Sequence, residues 1–418
     1  MPELTPKRAA LWAKWVYKIK DAGLGTPEVG GSLPDFVRMD RFEGESGIRV
    51  VSKVTGGGVA ASARTGFVLF ARGSKPHNRG EIIVSVRGTV SAQDWLTNFN
   101  AASERYDYGP GLVHSGFYGL FNTVKADLER LVTYVQRSGI ALMGATPITT
   151  IHVVGHSLGG AVANIVAGYL KSSLPHTTVK LYTFGAPRVG DVVYARGLTA
   201  QLGAENMQRI HNNLDPVPLV PPWPFVHAPF QDGQGDGYYL TYDGGNAYKA
   251  ESHFMATGYI PYVTNRTWMD LAVASSGNLS NGYIEQIKTY LRGAESGGGV
   301  AGMVAWGASK AIDYIGAAFS DVARTAGLSV TEAMTLPDQI AYVLNGVGSR
   351  SLSASSVLSK WVSLLIQFIG LECERQSGSN ALARWTTGDV STPLVYLGNR
   401  ILAILAAAIP MQGDLSGD

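Results

Sequence analysis

Short β-branched runs alternate with longer amphipathic patterns through the first two thirds of the chain. Apolar residues at three- and four-residue spacing predict helices at residues 9–20 and 116–136. Compact β-branched runs that end in polar or Gly/Pro turns predict strands. These runs are residues 48–54, 66–70, 81–86 and 151–154, and residues 179–184 and 207–212 are further strand candidates that end in such turns. Strands that alternate with helices indicate an α/β fold built around a mainly parallel sheet.

The pattern changes toward the C-terminus. Residues 221–250 are rich in Pro, Gly, Tyr and Asp and predict a long loop, and the Glu-Ser-Gly-Gly-Gly run at 295–299 predicts a linker. We therefore expect an α/β domain over residues 1–295 and a helical C-terminal region over residues 300–418. In that region, helical patterns lie at residues 304–319, 356–371 and 394–409. These helices either pack on each other and on the first domain or associate with a lipid surface.

The composition is that of a globular protein with a modest surface charge. Apolar residues make up 45% of the chain and charged residues 16%, and the net charge of +2 gives no reason to expect a nucleic-acid partner. Cys373 is the single cysteine, so an intrachain disulfide framework is excluded, and its expected role is that of a buried apolar side chain. Histidines and this cysteine do not have zinc-ligand spacing, and no cofactor or metal is expected.

The N-terminal residues do not predict a secretory leader. Met-Pro-Glu-Leu-Thr-Pro-Lys-Arg leads directly into the first helical pattern, without an apolar core or a small-residue cleavage site. Three locations fit this sequence. The protein is cytoplasmic, it is exported by a route that needs no signal peptide, or its leader is absent from this chain. Because no stretch reaches 18 apolar residues, an integral membrane protein is not expected.

A serine lies at the boundary between a predicted strand and a predicted helix. The segment Gly155-His156-Ser157-Leu158-Gly159 follows the β-branched run at 151–154 and precedes an Ala/Val/Leu-rich stretch. With 51 glycines in 418 residues, the bare Gly-x-Ser-x-Gly pattern can arise by chance as an ordinary turn. The strand–turn–helix context instead favours a nucleophile elbow, in which Gly155 and Gly159 leave room for close backbone contacts around Ser157.

A serine nucleophile requires a general base and a group that orients the base. In strand–turn–helix hydrolases these partners follow the serine in the order acid, then histidine. Asp215 lies just past a predicted strand in a proline-stiffened loop, where it either orients a base or caps a turn. Of the eight histidines only His227 and His253 come after Asp215. His227 lies in a proline-rich segment and is interpreted as structural, because a lone histidine is more often structural than catalytic.

The negative charge that develops on the substrate oxygen requires two hydrogen-bond donors. One is the backbone N–H of the residue after the nucleophile, here Leu158. Thr89 follows the predicted strand at 81–86 and a glycine, so its N–H and hydroxyl are candidates for the second donor. Taken alone, that segment is better explained as a strand-ending turn capped by a threonine.

Five separated stretches together resemble the class 3 lipases, the family of the filamentous-fungal triacylglycerol lipases. They occur in the family's order within residues 45–290. The stretches are residues 86–89, 113–117, 155–161, 184–190 and 213–218. This resemblance implies an α/β-hydrolase fold with Ser157 as nucleophile, Asp215 as orienting acid and His253 as base. It also implies Thr89 and Leu158 at the oxyanion hole and structural roles for His114 and His227.

The family carries a short amphipathic lid between the oxyanion strand and the segment that contains His114. Residues 91–99 occupy that place here, with Trp95, Leu96 and Phe99 on one apolar side. The chain departs from the family's pattern in three ways. The interval between Asp215 and His253 contains an unusual Gly/Tyr-rich loop. The secreted fungal lipases have disulfides and a leader, neither of which is visible in this sequence, and residues 300–418 have no counterpart in the basic family fold.

The favoured hypothesis is a lipid-ester hydrolase, most simply a triacylglycerol lipase that works through an acyl-enzyme at a lipid–water interface. Phospholipase A1, including a membrane-directed toxin-like enzyme, is the alternative that uses the same chemistry. A catalytically silent lipase-like scaffold is the alternative without an enzymatic function. Residues 300–418 are a further candidate for a membrane-targeting or partner-binding module, and the sequence names no protein partner.

Overall fold

The computed structural model describes residues 3–18, 36–38, 52–53, 64–65, 68–88, 103–138, 146–212, 215, 217–219, 221, 225–230, 237–241 and 250–275. The helical region predicted over residues 300–418, the linker at 295–299 and the remainder of the predicted first domain past residue 275 lie outside these residues.

Strands and helices alternate along the described part of the chain. The strands are β1 (Phe36–Arg38), β2 (Ser52–Lys53), β3 (Arg64–Thr65), β4 (Val68–Gly73), β5 (Glu81–Val86), β6 (Ser103–Arg105), β7 (Leu112–His114), β8 (Thr150–His156), β9 (Thr178–Phe184), β10 (Met207–Asn212) and β11 (Tyr238–Leu240). The α-helices are α1 (Pro6–Trp15), α2 (Ser115–Ser138), α3 (Leu158–Ser173), α4 (Val192–Leu202), α5 (Ala250–His253), α6 (Ile260–Val263) and α7 (Trp268–Ser275). The 3₁₀ turns are Val16–Lys18, Ala204–Asn206 and Val217–Leu219, and a π-helical turn spans Met255–Tyr259.

The main sheet of the described residues has seven strands in the order β1-β4-β5-β8-β9-β10-β11. The pairings from β5 through β8, β9 and β10 to β11 are all parallel, whereas β1 and β4 add an antiparallel edge. The prediction of an α/β fold with a mainly parallel central sheet is confirmed. Parallel pairing brings the carboxyl ends of β5, β8 and β10 to one edge of the sheet, where ligands bind in folds of this type.

Helices cover the sheet on both faces, which explains why β5 and β8 in its middle are rich in buried apolar residues. Ile151 and Val153 of β8 pack in the cluster that includes the buried sides of α2 and α3. Val154 points to the opposite face and packs in the cluster that includes α1. Since side chains alternate along a strand, His156 lies on the same face as Val154, beneath the N-terminal helix.

The N-terminal helix begins earlier and ends earlier than the predicted range of 9–20. Thr5 caps it by accepting a hydrogen bond from the Arg8 N–H, and Pro6 occupies its first position, where a missing N–H costs nothing. The α-helix ends at Trp15, and the chain continues as the 3₁₀ turn Val16–Lys18.

The prediction of a long loop over residues 221–250 is wrong at Tyr238–Leu240. These three residues form β11, which pairs in parallel with β10 at the edge of the sheet. The strand is too short to show a period of two, and its Gly/Tyr-rich surroundings resemble a loop. Packing of the Tyr238 ring against Trp268, with centroids 5.2 Å apart, stabilises it from the next segment of the chain.

The remaining predicted elements agree with the structure in place and differ mainly in their ends. Helix α2 extends the predicted 116–136 by one residue at its start and two at its end, and β5 and β10 have the predicted bounds. Helix α4 was not predicted, although Asp191 caps it by accepting the Tyr194 N–H at 2.7 Å. Most of the strand predicted at 48–54 lies outside the described residues.

Helix α2, the longest of the described helices, is amphipathic, with one buried apolar side. Of the helices that can be described, none combines the length and the apolar character needed to cross a bilayer.

Candidate active site

The turn between β8 and α3 holds Ser157 in a conformation that non-glycine residues rarely adopt. Its φ of 58° and ψ of −135° project the side chain out of the turn, at a local cost on the order of 1–3 kcal/mol. The flanking glycines make the turn possible. A Cβ on Gly155 would lie 2.3 Å from the carbonyl oxygen of Gly159, and one on Gly159 would lie 2.3 Å from the carbonyl oxygen of Val86. The turn therefore has the strand–turn–helix geometry expected of an elbow, with no room for a Cβ at either glycine.

The structure brings Ser157, Asp215 and His253 together from three different segments. His253 Nε2 lies 2.9 Å from Ser157 Oγ, and His253 Nδ1 lies 2.7 Å from Asp215 Oδ2. All three residues are buried, with relative exposures of 1% for Ser157, 2% for Asp215 and 1% for His253. With Nδ1–H donating to the carboxylate, the lone pair of Nε2 faces the serine hydroxyl. This tautomer is the one in which an imidazole removes a proton from serine.

The Asp215 carboxylate is held by more than the histidine. Oδ1 accepts the backbone N–H of Val217 at 2.9 Å, so the residue caps its own turn as well as contacting His253. Oδ2 also accepts a hydrogen bond from the hydroxyl of Tyr259. Burial, and then the Asp215 charge, raise the pKa of the Tyr259 hydroxyl well above its usual range, so this hydroxyl remains a donor. The sequence reasoning missed Tyr259, which lies six residues past His253 at the end of the π-helical turn.

His227, the other histidine that follows Asp215, has a different environment. Its Nε2 lies 2.8 Å from the carbonyl oxygen of Pro218 and donates to it, which braces the loop that carries Asp215. His114 accepts the Gly116 N–H on Nδ1 at 3.1 Å and stacks near Phe117 at the start of α2. Both contacts are those of structural residues.

Only part of the expected oxyanion hole lies within the described residues. Leu158 is the first residue of α3, so its N–H belongs to the helix N-terminus beside Ser157, where amides lack intrahelical partners. Gly88 follows β5 and approaches the site closely, since a Cβ built on it would lie 3.3 Å from the Ser157 Cβ. Thr89, the next residue, and the lid candidates Trp95, Leu96 and Phe99 lie outside the described residues.

His156 immediately precedes the serine and is fully buried. Burial, and then the neighbouring His253, lower the pKa of His156 well below its usual range, so its imidazole is neutral near pH 7. Burial likewise lowers the pKa of His152 on the same face of β8, against an opposing effect of Glu81.

Acid is expected to destabilise the fold partly through these two histidines. Below about pH 6.5 an unfolded histidine takes up a proton, whereas the buried residue does so only at lower pH. The unfolded state then binds more protons, and the free energy of unfolding falls as pH falls, by up to about 1.4 kcal/mol per pH unit for each proton. Measured by urea unfolding, the decrease in the free energy of unfolding between pH 7.5 and pH 5.5 should be smaller for His156→Gln than for wild type. His176→Gln, at an exposed position, serves as the control, and equal losses in all three proteins would contradict the prediction.

The fold and this site define a class of protein. The α/β-hydrolases share three features with this chain. They have a mainly parallel sheet and a serine on a strand–turn–helix elbow, and the serine is followed along the chain first by an acid and then by a histidine. The family model described as "Lipase (class 3)" matches residues 83–225. Over these residues the chain is similar to the class 3 lipases.

Known relatives match about a third of the chain, and a solved structure matches somewhat more. A secreted mono- and diacylglycerol lipase 1 of Fusarium solani is 42% identical over 146 residues, which cover 34% of this chain and 40% of that protein. A chloroplastic phospholipase A(1), DAD1, of Arabidopsis thaliana is 28% identical over 155 residues, covering 34% of each. The solved Rhizomucor miehei lipase–propeptide complex aligns with a TM-score of 0.33 and 27% identity, over 42% of this chain and 52% of that one. The chain thus spans less than half the length of these curated relatives.

Proposed function

We propose that this protein is a serine hydrolase of carboxylic esters that acts on acylglycerols. The observation that carries the proposal is the buried, continuous hydrogen-bonded chain from Ser157 through His253 to Asp215. Each member has the polarity its role requires, since the serine donates, the imidazole accepts on one nitrogen and donates from the other, and the carboxylate accepts.

The reaction proceeds in two halves. Ser157 Oγ attacks the ester carbonyl carbon while His253 Nε2 takes the hydroxyl proton, and the Asp215 carboxylate stabilises the imidazolium. His253 then gives this proton to the departing alcohol, which leaves Ser157 acylated. Water attacks the acyl-enzyme with His253 again as base, and the fatty acid is released as Ser157 regains its proton.

The N-terminus of α3 is proposed to stabilise the negative charge that develops on the substrate oxygen. The Leu158 N–H is one proposed donor, and its position at the start of a helix adds the favourable end of the helix dipole. Thr89 is the proposed second donor, which the closeness of Gly88 to Ser157 supports. Trp95, Leu96 and Phe99 remain the predicted apolar face of a lid that opens at a lipid–water interface.

Acylglycerols are the proposed substrates because the Fusarium relative, the more similar of the two curated proteins, is named for mono- and diacylglycerol lipase activity. Phospholipase A1 is the second candidate, favoured by the name of the Arabidopsis relative. Triacylglycerols, partial glycerides and phospholipids share the ester that Ser157 would attack. These lipids differ in the group attached to the glycerol next to that ester, which the site must accommodate.

Product analysis separates these substrates. We expect the full chain to release fatty acid from emulsified tri- or diacylglycerol and from short p-nitrophenyl esters, at rates at least about tenfold above those on phosphatidylcholine, since tenfold corresponds to a modest 1.4 kcal/mol of discrimination. Faster release of fatty acid from phosphatidylcholine than from the acylglycerols would identify the protein as a phospholipase A1 instead. A folded protein that hydrolyses none of the three would overturn the hydrolase proposal.

A further inference from the structure

Two side chains outside the triad form a hydrogen-bonded chain that ends on His253, with His156 in contact with His253 and Tyr17 in contact with His156. His156 Nε2 lies 2.8 Å from the backbone carbonyl oxygen of His253, and the two rings lie 4.6 Å apart. On its other side, His156 Nδ1 lies 2.8 Å from the hydroxyl of Tyr17. The contacts join residues 97 and 139 positions apart in the chain.

The chemistry of the partners fixes the direction of both hydrogen bonds. A carbonyl oxygen only accepts, so Nε2 of His156 carries the proton and donates. In a neutral imidazole the other nitrogen is then an acceptor, and Tyr17 donates its hydroxyl proton to Nδ1. Tyr17 thereby selects the one neutral tautomer of His156 that can hold the His253 carbonyl.

That carbonyl is at a position where the chain needs an outside donor. His253 is the last residue of α5, and Phe254 is already extended, with φ −68° and ψ 138°. Carbonyl groups in the last turn of a helix lack intrahelical partners. The His156 N–H supplies one and fixes the backbone from which the His253 imidazole reaches toward Ser157.

Tyr17 reaches this position because α1 is held against the same face of the sheet. Trp12 is fully buried, and its carbonyl oxygen accepts the hydroxyl of Ser85 on β5 at 2.9 Å. The 3₁₀ turn after α1 then places the Tyr17 hydroxyl against Gly88, where an added Cβ would lie only 2.2 Å from it. The hydroxyl therefore lies between the elbow and the end of β5.

We infer that Tyr17 and His156 are positioning residues for His253, with Tyr17 fixing the tautomer of His156 and His156 holding the backbone of the base. The inference rests on the proposed hydrolase function and adds to it two residues outside the triad. It also makes the N-terminal helix part of the support of the active site.

Three variants test it on the full chain with a soluble short p-nitrophenyl ester. His156→Phe keeps a ring but removes the donor, and we expect kcat to fall on the order of tenfold or more with KM changed less than about twofold, because small displacements of a base are costly. Tyr17→Phe should lower kcat about threefold to tenfold. His156→Gln, whose amide nitrogen can replace Nε2–H, should retain kcat within about threefold of wild type. Tyr238→Phe, which removes a hydroxyl from the same apolar cluster, is the matched control and should keep wild-type kcat.

A second readout is the rate at which Ser157 reacts with a fluorophosphonate, which also needs the base. It should fall in parallel with kcat in His156→Phe and Tyr17→Phe, while the thermal unfolding midpoint of Tyr17→Phe stays close to that of Tyr238→Phe. If His156→Phe does not fold, Tyr17→Phe decides the question.

The outcomes distinguish this inference from the proposed function. An active wild type with unchanged kcat in Tyr17→Phe would overturn the positioning role and leave the hydrolase standing. A kcat for His156→Gln as low as that of His156→Phe would also overturn the positioning role, because keeping the hydrogen-bond donor would then make no difference. A folded wild type that neither hydrolyses esters nor reacts with the probe would overturn the proposed function itself.

Discussion

Replacing Ser157 with alanine is expected to abolish ester hydrolysis, with kcat at least about 10⁴-fold below wild type. The physical reason is that the variant lacks the oxygen that His253 Nε2 contacts at 2.9 Å and that would form the acyl-enzyme. Removing one hydroxyl leaves the elbow glycines and the sheet unchanged, so the far-UV circular dichroism spectrum and the urea midpoint should remain near wild type. Appreciable esterase activity in the folded variant would contradict the assignment of Ser157.

Replacing Asp215 with asparagine is expected to produce the second-largest loss, a decrease in kcat of roughly 10³–10⁴-fold. The amide oxygen can still accept the Val217 N–H in place of Oδ1. The amide nitrogen then faces His253 Nδ1 in place of Oδ2 and donates to it, which moves the imidazole proton to Nε2. In that tautomer the base has no lone pair for the Ser157 hydroxyl, although the geometry is nearly unchanged.

Asp191→Asn is the matched control for this substitution. Asp191 also accepts backbone N–H groups, from Tyr194 and Leu112, but it caps α4 rather than contacting a histidine. Asparagine is an equally good cap, so this variant should keep wild-type kcat. Asp215→Asn with more than a tenth of wild-type kcat would contradict the role of the carboxylate.

The sequence was most informative where local patterns decide structure. The run that forms β5 is largely apolar because the sheet is covered on both faces, so its bounds followed directly from the residues. The more polar β10 was bounded by the polar turn that ends it. The elbow was equally local, since Gly155 and Gly159 flank Ser157 within five residues. Chain order then limited the histidines that could accompany Asp215 to two.

Geometry between distant segments could not be predicted in the same way. The choice of His253 over His227 rested on the setting of His227 in a proline-rich segment and on a resemblance, whereas the structure shows the contacts themselves. His227 holds the Pro218 carbonyl and His253 contacts Ser157. Tyr259 reaches Asp215 because a π-helical turn follows His253, and no periodic pattern announces such a turn. Tyr17 had no local signal at all, because its contact with His156 depends on how α1 packs across the sheet.

Short elements were missed for a related reason. Three residues, as in β11, cannot display an alternation, and the stability of this strand comes from pairing with β10 and from packing on Trp268. Helix α4 did carry a signal in its Asp191 cap, but a cap without a clear apolar stripe is weak evidence for a helix.

The central claim is that Ser157 is an activated nucleophile, and active-site labelling tests it most directly. Full-length protein would be treated with a fluorophosphonate and digested, and the modified peptide would be identified by mass spectrometry. One adduct per chain is expected, on Ser157, and none in Ser157→Ala. A folded wild-type protein that remains unlabelled, or that is labelled at another residue, would show that Ser157 is not an activated nucleophile and would favour a catalytically silent scaffold.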